Sequence, residues 1–328
     1  MKRGIVIGKF YPPHNGHSFL IESARAQVDE LTVIICDKQG QKIPGDLRAE
    51  WLREIHPGIQ TKVVEDILAE DDSQGWATYT IERLGFVPDV VFTSEAYGDS
   101  YARHLGCKHV LVDQTRDTVP VSASQIRKDP LAKWAFLHAC VRAYFAKRAC
   151  ILGAESTGTT TMAKALAEHY HTAWVPEFGR TYWEGRMYLP SPVPWTVEEF
   201  VFIARQQNRL EDELARLCNR ILICDTDSFT TSLWQERYMG FLSPKIACTH
   251  EHRKIDLYLL TDVDIPFVQD GTRDGEHIRE HMHQRFLSEL ERLKKPFFVL
   301  SGSLEARLRV AIGLCDRELK APSLLAED

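Results

Sequence analysis

No stretch of the 328-residue chain reaches the roughly 18 apolar residues that a bilayer-spanning helix needs, which speaks against a membrane protein. The basic start Met1-Lys2-Arg3 leads into Ile5-Val6-Ile7, but Gly8 and Lys9 cut that run short of a secretory core. Positive charge is not in excess: 40 Lys and Arg stand against 46 Asp and Glu, a formal charge of -6. A duplex-binding protein carries a basic face to neutralise phosphates, so nucleic acid is not an expected partner. The eight cysteines, at 36, 107, 140, 150, 218, 224, 248 and 315, include no Cys-x-x-Cys pair, which excludes a disulfide framework or a structural zinc knot and fits a reducing cytoplasm. Internal repeats and low-complexity tracts are absent as well.

What is there is the composition of an ordinary globular protein, 44% hydrophobic and 26% charged, in a chain long enough for two domains. Short β-branched runs alternate with helical patterns, the mark of parallel sheets covered by helices. Strands are expected at 4–7, 31–36, 61–65, 89–93 and 109–112, then at 148–152, 173–175, 220–224, 257–261 and 297–300. A helix over 131–147 should join the two series. The fold class is therefore α/β, two parallel-sheet three-layer domains spanning 1–146 and 147–328, with a frayed polar tail from Ala321.

Two segments of the first domain point to phosphate chemistry. Gly8-Lys9-Phe10-Tyr11-Pro12-Pro13-His14-Asn15-Gly16-His17 joins the first strand to a helix. A glycine there lets backbone approach a ligand, and the helix start offers unpaired N–H groups to an anion. Lys9, His14 and His17 add donors where charge grows on phosphoryl oxygens. Far along the chain, Ser122-Ala123-Ser124-Gln125-Ile126-Arg127 places two hydroxyls and an arginine at another helix start. The bland alternative makes His14 and His17 helix-capping surface residues.

The second domain opens with Gly153-Ala154-Glu155-Ser156-Thr157-Gly158-Thr159-Thr160-Thr161, the frame of a phosphate-binding loop between strand and helix. Thr159 stands where that frame expects lysine, while Thr160 keeps the hydroxyl that would touch Mg2+. Losing a charge-assisted contact costs on the order of 1.5 to 3 kcal/mol, which another cation could offset; Arg273 is the first candidate, before Arg279 and Lys164. Asp225 and Asp227 end an apolar strand and could hold Mg2+ or orient a nucleophilic hydroxyl. Asp270-Gly271-Thr272-Arg273-Asp274 reads as a lid, and Glu177 and Arg180 could grip a substrate. A non-catalytic turn is the bland reading of the glycine loop. His277, His281 and His283 lack a third ligand and read as a solvated helix face, as do His250 and His252. The Val197–Leu217 helix reads as amphipathic packing.

Residues 1 to 130 resemble the HxGH nucleotidyltransferase superfamily, in which a Ser/Thr-rich motif ending in arginine accompanies HxGH. The resemblance implies a dinucleotide-binding-like sheet and attack of a substrate phosphate on the α-phosphorus of ATP, with no covalent intermediate. It assigns transition-state stabilisation to His14 and His17, and phosphate binding to Lys9, Ser122, Ser124 and Arg127, with Gly8 and Phe10 beside them and Mg2+ bridging. Such a unit followed by a P-loop kinase resembles the NadR-type bifunctional enzymes, carried by Gly-Lys-Phe-Tyr-Pro, Gly-x-Glu-Ser-Thr-Gly and Asp-Thr-Asp. The resemblance implies NAD salvage from ATP, nicotinamide mononucleotide and ribosylnicotinamide, with Tyr11, Trp76 and Tyr97 as stacking candidates for nicotinamide and Asp225 as hydroxyl-activating base. A regulator-only role for the Thr159 domain is the alternative. Self-association is left open, and without a helix-turn-helix before the first strand, repressor activity is not expected.

Overall fold

The computed structural model describes all residues except Pro192, Thr272, Asp274, Leu324 and 326–328. The chain divides into two compact units, Met1–Arg142 with the described tail residues Pro322, Ser323 and Leu325, and Ala143–Ala321. The first unit holds β1 (Arg3–Gly8), β2 (Glu30–Asp37), β3 (Gln60–Glu65), β4 (Val90–Thr93) and β5 (Lys108–Leu111). They form one parallel sheet in the order β3-β2-β1-β4-β5. The second holds β6 (Lys147–Gly153), β7 (Trp174–Val175), β8 (Ile221–Asp225), β9 (Leu257–Thr261) and β10 (Phe297–Leu300). These too are all parallel, in the order β10-β9-β6-β8-β7.

A parallel sheet is covered on both faces, so its strands read as continuous apolar runs, and the period of two sorts their side chains between two cores. In the first unit Val6, Val33, Ile35 and Phe92 pack with Leu20 and Ile21 on one face. Ile5, Ile7, Ile34 and Val91 pack with Ala77, Tyr101 and Leu105 on the other. In the second unit Ala149, Ile151, Ile223 and Leu259 meet Met162, Leu166 and Leu314. In both sheets the first strand of the series, β1 or β6, sits centrally with neighbours on either side. That is where strand order reverses, and ligands of open α/β sheets bind in the crevice beyond the carboxyl ends there. The loops that leave β1 and β6 are the two segments rich in phosphate-binding residue types.

Three expectations are corrected. The helix over 131–147 is broken: a short 3-10 turn, Trp134–Phe136, precedes extended Leu137 (φ -100°, ψ 141°), and the α-helix spans Ala139–Phe145. In place of the i+4 N–H groups of a continuous helix, the Trp134 carbonyl accepts from Leu137 N–H (3.2 Å) and Arg142 Nε (3.0 Å), and the Ala135 carbonyl from Asn15 Nδ2 (3.3 Å). In the tail, Leu325 is 1% exposed, so that residue is packed and not frayed. His283 is buried with Nε2 3.7 Å from Asp262, unlike the exposed His277, His281 and His252, and His250 is only partly exposed. No metal-holding cluster of His, Cys, Asp and Glu occurs among the described residues.

Candidate functional site

The loop after β1 turns at Phe10, a non-glycine residue in the left-handed region (φ 47°). Its ring is buried and meets the edge of His17 at 4.9 Å between centroids, so its side chain supports the histidine instead of meeting phosphate. His14 caps the helix Asn15–Arg25, its Nδ1 accepting from the N–H of Gly16 (3.1 Å) and His17 (3.4 Å). The capping alternative is thus realised for His14, but not on the surface, because the residue is 4% exposed. The His14 and His17 rings stack 3.7 Å apart. Burial, then the charges of Arg116 and His138, push His14 down to about 3; His17 is depressed by burial and by its neighbours His14 and Arg116. An imidazole that accepts through Nδ1 carries its proton on Nε2, leaving a neutral N–H donor.

Opposite, Arg127 donates from Nη1 to the Tyr11 carbonyl (3.0 Å) and from Nη2 to Ser124 Oγ (3.2 Å), tying the helix Ala123–Lys128 to the β1 loop. Ser122 is occupied in a capping box with Gln125. One cleft of about 570 Å3 is bounded by Gly8, Lys9, Phe10, Tyr11, His14, His17, Trp76, Tyr97, Ser122, Ser124 and Arg127, so all the residues singled out in the first domain come together. Tyr11 is buried, its hydroxyl accepting from Lys42 N–H (3.0 Å) and its ring flanked by Arg48 and Arg127. Trp76 is anchored by Nε1 to the Ala69 carbonyl (3.0 Å).

Several neighbours carry no motif and were not legible. Lys9 Nζ pairs with Glu70 (2.6 Å) and lies 3.6 Å from Asp66. Arg116, at φ 58°, lies 3.1 Å from Glu95 and lines the same cleft. Fully buried Arg48 bonds the carbonyls of Lys9 and Cys36 and the carboxylate of Asp37, fastening the β1 loop to the end of β2.

In the second unit β6 ends on Gly153, where any Cβ would collide with the Thr261 hydroxyl. Ser156 (φ 58°) and Gly158 (φ 87°) turn the loop onto the helix Thr159–Tyr170. Gly153, Glu155, Ser156, Gly158, Thr159, Thr160 and Thr161 line a cleft with Glu177, Arg180 and Arg273. Thr160 Oγ1 donates to Asp225 Oδ2 at 2.5 Å, while Asp225 Oδ1 is buried without a partner. Asp225 sits behind Thr160, which suits holding a hydrated cation better than meeting a substrate hydroxyl. Burial, then the nearby Asp225 charge, push Glu177 up to about 7.

Two candidates turn away from this cleft. Thr157 is buried and spends its hydroxyl on the Ala154 carbonyl and Thr261. Asp227 is buried too, Oδ1 accepting from Thr230 N–H and hydroxyl and Oδ2 from Tyr258, so it caps the helix Ser228–Met239 and is not among the residues that line the cleft. Lys164 stands over the Trp174 ring, and Arg279 is bound to the Ile265 carbonyl. Of the lid, Arg273 reaches Ser156; Thr272 and Asp274 lie outside the described residues. The unforeseen feature is aromatic. Trp183, Trp195, Phe200, Trp234 and Tyr238 line one wall, with Trp183 and Trp195 stacked at 5.8 Å and Trp195 5.7 Å from Tyr238. Trp234 and Tyr238 stand one turn apart on the helix Ser228–Met239, but Trp183 and Phe200 come from two other helices and Trp195 from a loop, so no spacing in the sequence joins the whole wall.

A cytidylyltransferase-like family profile matches residues 5–129, and an AAA-domain profile matches residues 148–307. The trifunctional NAD biosynthesis/regulator protein NadR of Escherichia coli (strain K12) is 29% identical over 312 residues, 88% of this chain and 75% of that protein. A nicotinamide-nucleotide adenylyltransferase of Thermococcus kodakarensis is 31% identical over 139 residues, 39% of this chain and 72% of its own. In fold, the chain is similar to NadR protein crystallised in complex with NAD and AMP-PNP, with TM-score 0.75 and 20% identity, covering 98% of this chain and 96% of that one. NadR protein in complex with NR gives TM-score 0.77 at 20% identity, covering 98% and 97%. Over most of its length the chain is similar to the NadR proteins, and it belongs to the nicotinamide-nucleotide adenylyltransferases.

Proposed function

We propose that the chain is a two-step enzyme of NAD biosynthesis. In the second unit the γ-phosphoryl of ATP passes to a hydroxyl of ribosylnicotinamide, leaving ADP and nicotinamide mononucleotide. In the first, an oxygen of that mononucleotide's phosphate attacks the α-phosphorus of ATP, the bond to the β-phosphate breaks, and pyrophosphate departs as NAD forms. The observation that carries this reading is the pair of phosphate-suited loops at the switch points of the two sheets, each lining a cleft that also holds aromatic side chains.

In the first cleft the stacked pair His14 and His17 supports the reading as neutral donors aimed at phosphoryl oxygens, with Arg127 and Lys9 adding charge and Gly8, Ser122 and Ser124 completing the cradle. Trp76 and Tyr97 offer faces to the nicotinamide ring, and Tyr11 braces Arg127. In the second, the loop from Gly153 to Thr161 cradles phosphates with backbone N–H groups. The aromatic wall suits a flat, cationic pyridine ring. Glu177 faces the acceptor side of that cleft. Thr160 and Asp225 would hold Mg2+, which when bound neutralises phosphate charge, and the unpartnered buried Oδ1 of Asp225 fits it. Eight free cysteines, most of them buried, support a reducing cytoplasmic setting, and no described helix is long and apolar enough to cross a membrane. The acidic balance weighs against nucleic acid.

Incubation with ATP, Mg2+ and nicotinamide mononucleotide should yield NAD and pyrophosphate; no product would end the first half of the reading. Ribosylnicotinamide with ATP tests the second. Thr159 favours one other reading, an adenylyltransferase whose P-loop unit only senses nucleotide. A large gain in phosphorylation in Thr159→Lys over an inert parent would support that reading, and robust turnover by the parent would refute it.

A further inference from the structure

The loop of the second unit lacks a cation at position 159, yet phosphoryl transfer leaves charge on phosphate oxygens that a cation must meet. Among the described residues lining that cleft, the positive charges are Arg180 and Arg273. They come from distant parts of the chain and meet on a single atom. Asp270 Oδ2 accepts from Arg180 Nη1 at 3.1 Å and lies 3.1 Å from Arg273 Nη2. Arg273 Nη1 also donates to Ser156 Oγ (3.1 Å), inside the glycine loop, and to the Val268 carbonyl, which leaves Nε and one N–H of Nη2 for a ligand. Arg180 Nε lies 3.9 Å from Glu177, three residues before it at the start of the helix Phe178–Arg186. One carboxylate between two guanidinium groups leaves the trio with net positive charge. Planar guanidinium groups keep further N–H donors for a phosphate, which a point-like ammonium would meet from one direction only.

The other cations nearby are engaged. Lys164 stands over Trp174, Arg279 holds the Ile265 carbonyl, and buried Arg307 binds the Thr157 and Asp262 carbonyls and Asp264. We propose that Arg180 and Arg273, held as a pair by Asp270, supply the phosphate-binding charge that a lysine at the position of Thr159 would give. Asp270 is the positioning residue. This inference rests on the phosphoryl-transfer reading of the second unit.

The test is compensation in the full-length chain. Arg180→Ala and Arg273→Ala should each lower kcat/KM for ATP in ribosylnicotinamide phosphorylation by about ten- to a hundred-fold. Thr159→Lys added to the double variant should recover at least about ten-fold of the combined loss, the worth of one charge-assisted bond. NAD formation from nicotinamide mononucleotide, run on the same preparations, should stay at the parent level, and an unchanged thermal melt of the second unit reports its intact folding. Either single variant phosphorylating at the parent rate would overturn the proposal, as would a double variant that Thr159→Lys fails to rescue while NAD formation is intact. If the parent phosphorylates nothing, the kinase reading fails separately. Mg-ATP is then titrated by calorimetry with NAD saturating the first cleft: weaker binding in the double variant supports the pair, and unchanged affinity refutes it.

Discussion

His14 accepts two backbone N–H groups through Nδ1, an arrangement open only to the neutral ring. Because its pKa falls to about 3, and that of His17 also falls, neither ring titrates near 6.5 in the free enzyme. The profile of kcat/KM for ATP in NAD formation should therefore show no imidazole step between about pH 5 and 8, where an unperturbed histidine titrates; a break near 6.5 that vanishes in His14→Ala would contradict this. The sign for stability follows from the same depression. The folded state resists protonation, so stability is lost as pH falls from 6.5 towards about 3. With the histidines uncharged, the positive charge acting on them belongs to Arg116, held near Glu95. Arg116→Ala should raise KM for ATP about ten-fold through one lost charge-assisted contact, leaving ribosylnicotinamide phosphorylation unchanged; steady-state kinetics on both reactions would check it.

The short helix Ala123–Lys128 carries Ser124 and Arg127, and its start is fixed by the reciprocal bonds of Ser122 and Gln125. Ser122→Ala should cost the first unit about 1 kcal/mol, read as a lower urea midpoint at unchanged slope. At the other cleft, Glu177 has a folded pKa of about 7, above that of a free carboxyl. The proton-binding folded state is favoured at low pH, so this residue's contribution is lost as pH rises from about 4.5 to 7. Glu177→Gln should flatten that part of the stability curve of the second unit, measured by thermal melts across pH; an unaltered slope would place the carboxyl at its ordinary value. The elements themselves were largely legible: ten strands were expected within a residue or two of where they lie, the central ones because strands buried on both faces read as unbroken apolar runs, the partly exposed edge strands β3, β5 and β10 from shorter β-branched or aromatic stretches. The break at Leu137 was not, since neither Gly nor Pro marks it and side chains of Asn15 and Arg142 take the freed carbonyls. Backbone-adjacent motifs such as Gly8 to His17 were visible for the same local reason. Arg116, the pairing of Asp270 with Arg180, and the meeting of Trp234 and Tyr238 with Trp183 and Trp195 depend on tertiary convergence, which no spacing records.

At the scale of the molecule, the two proposed reactions are assigned to separate sheets with separate cores, and the product of one would be the substrate of the other. Variants of one cleft should therefore remove one reaction and spare the other. His17→Ala removes a donor at the first cleft, so the chain should still turn ribosylnicotinamide into its mononucleotide, which then accumulates. Thr160→Ala breaks the bond to buried Asp225 and should do the reverse, making NAD from supplied mononucleotide but none from ribosylnicotinamide. Removing one preorganised donor typically costs about a hundred- to a thousand-fold in kcat, large enough to separate the two phenotypes by product analysis alone. Mixing the two variants should restore the full route, because each supplies the step the other lacks and the mononucleotide diffuses between them. If either variant lost both reactions while remaining folded, the division of chemistry between the two sheets would be wrong.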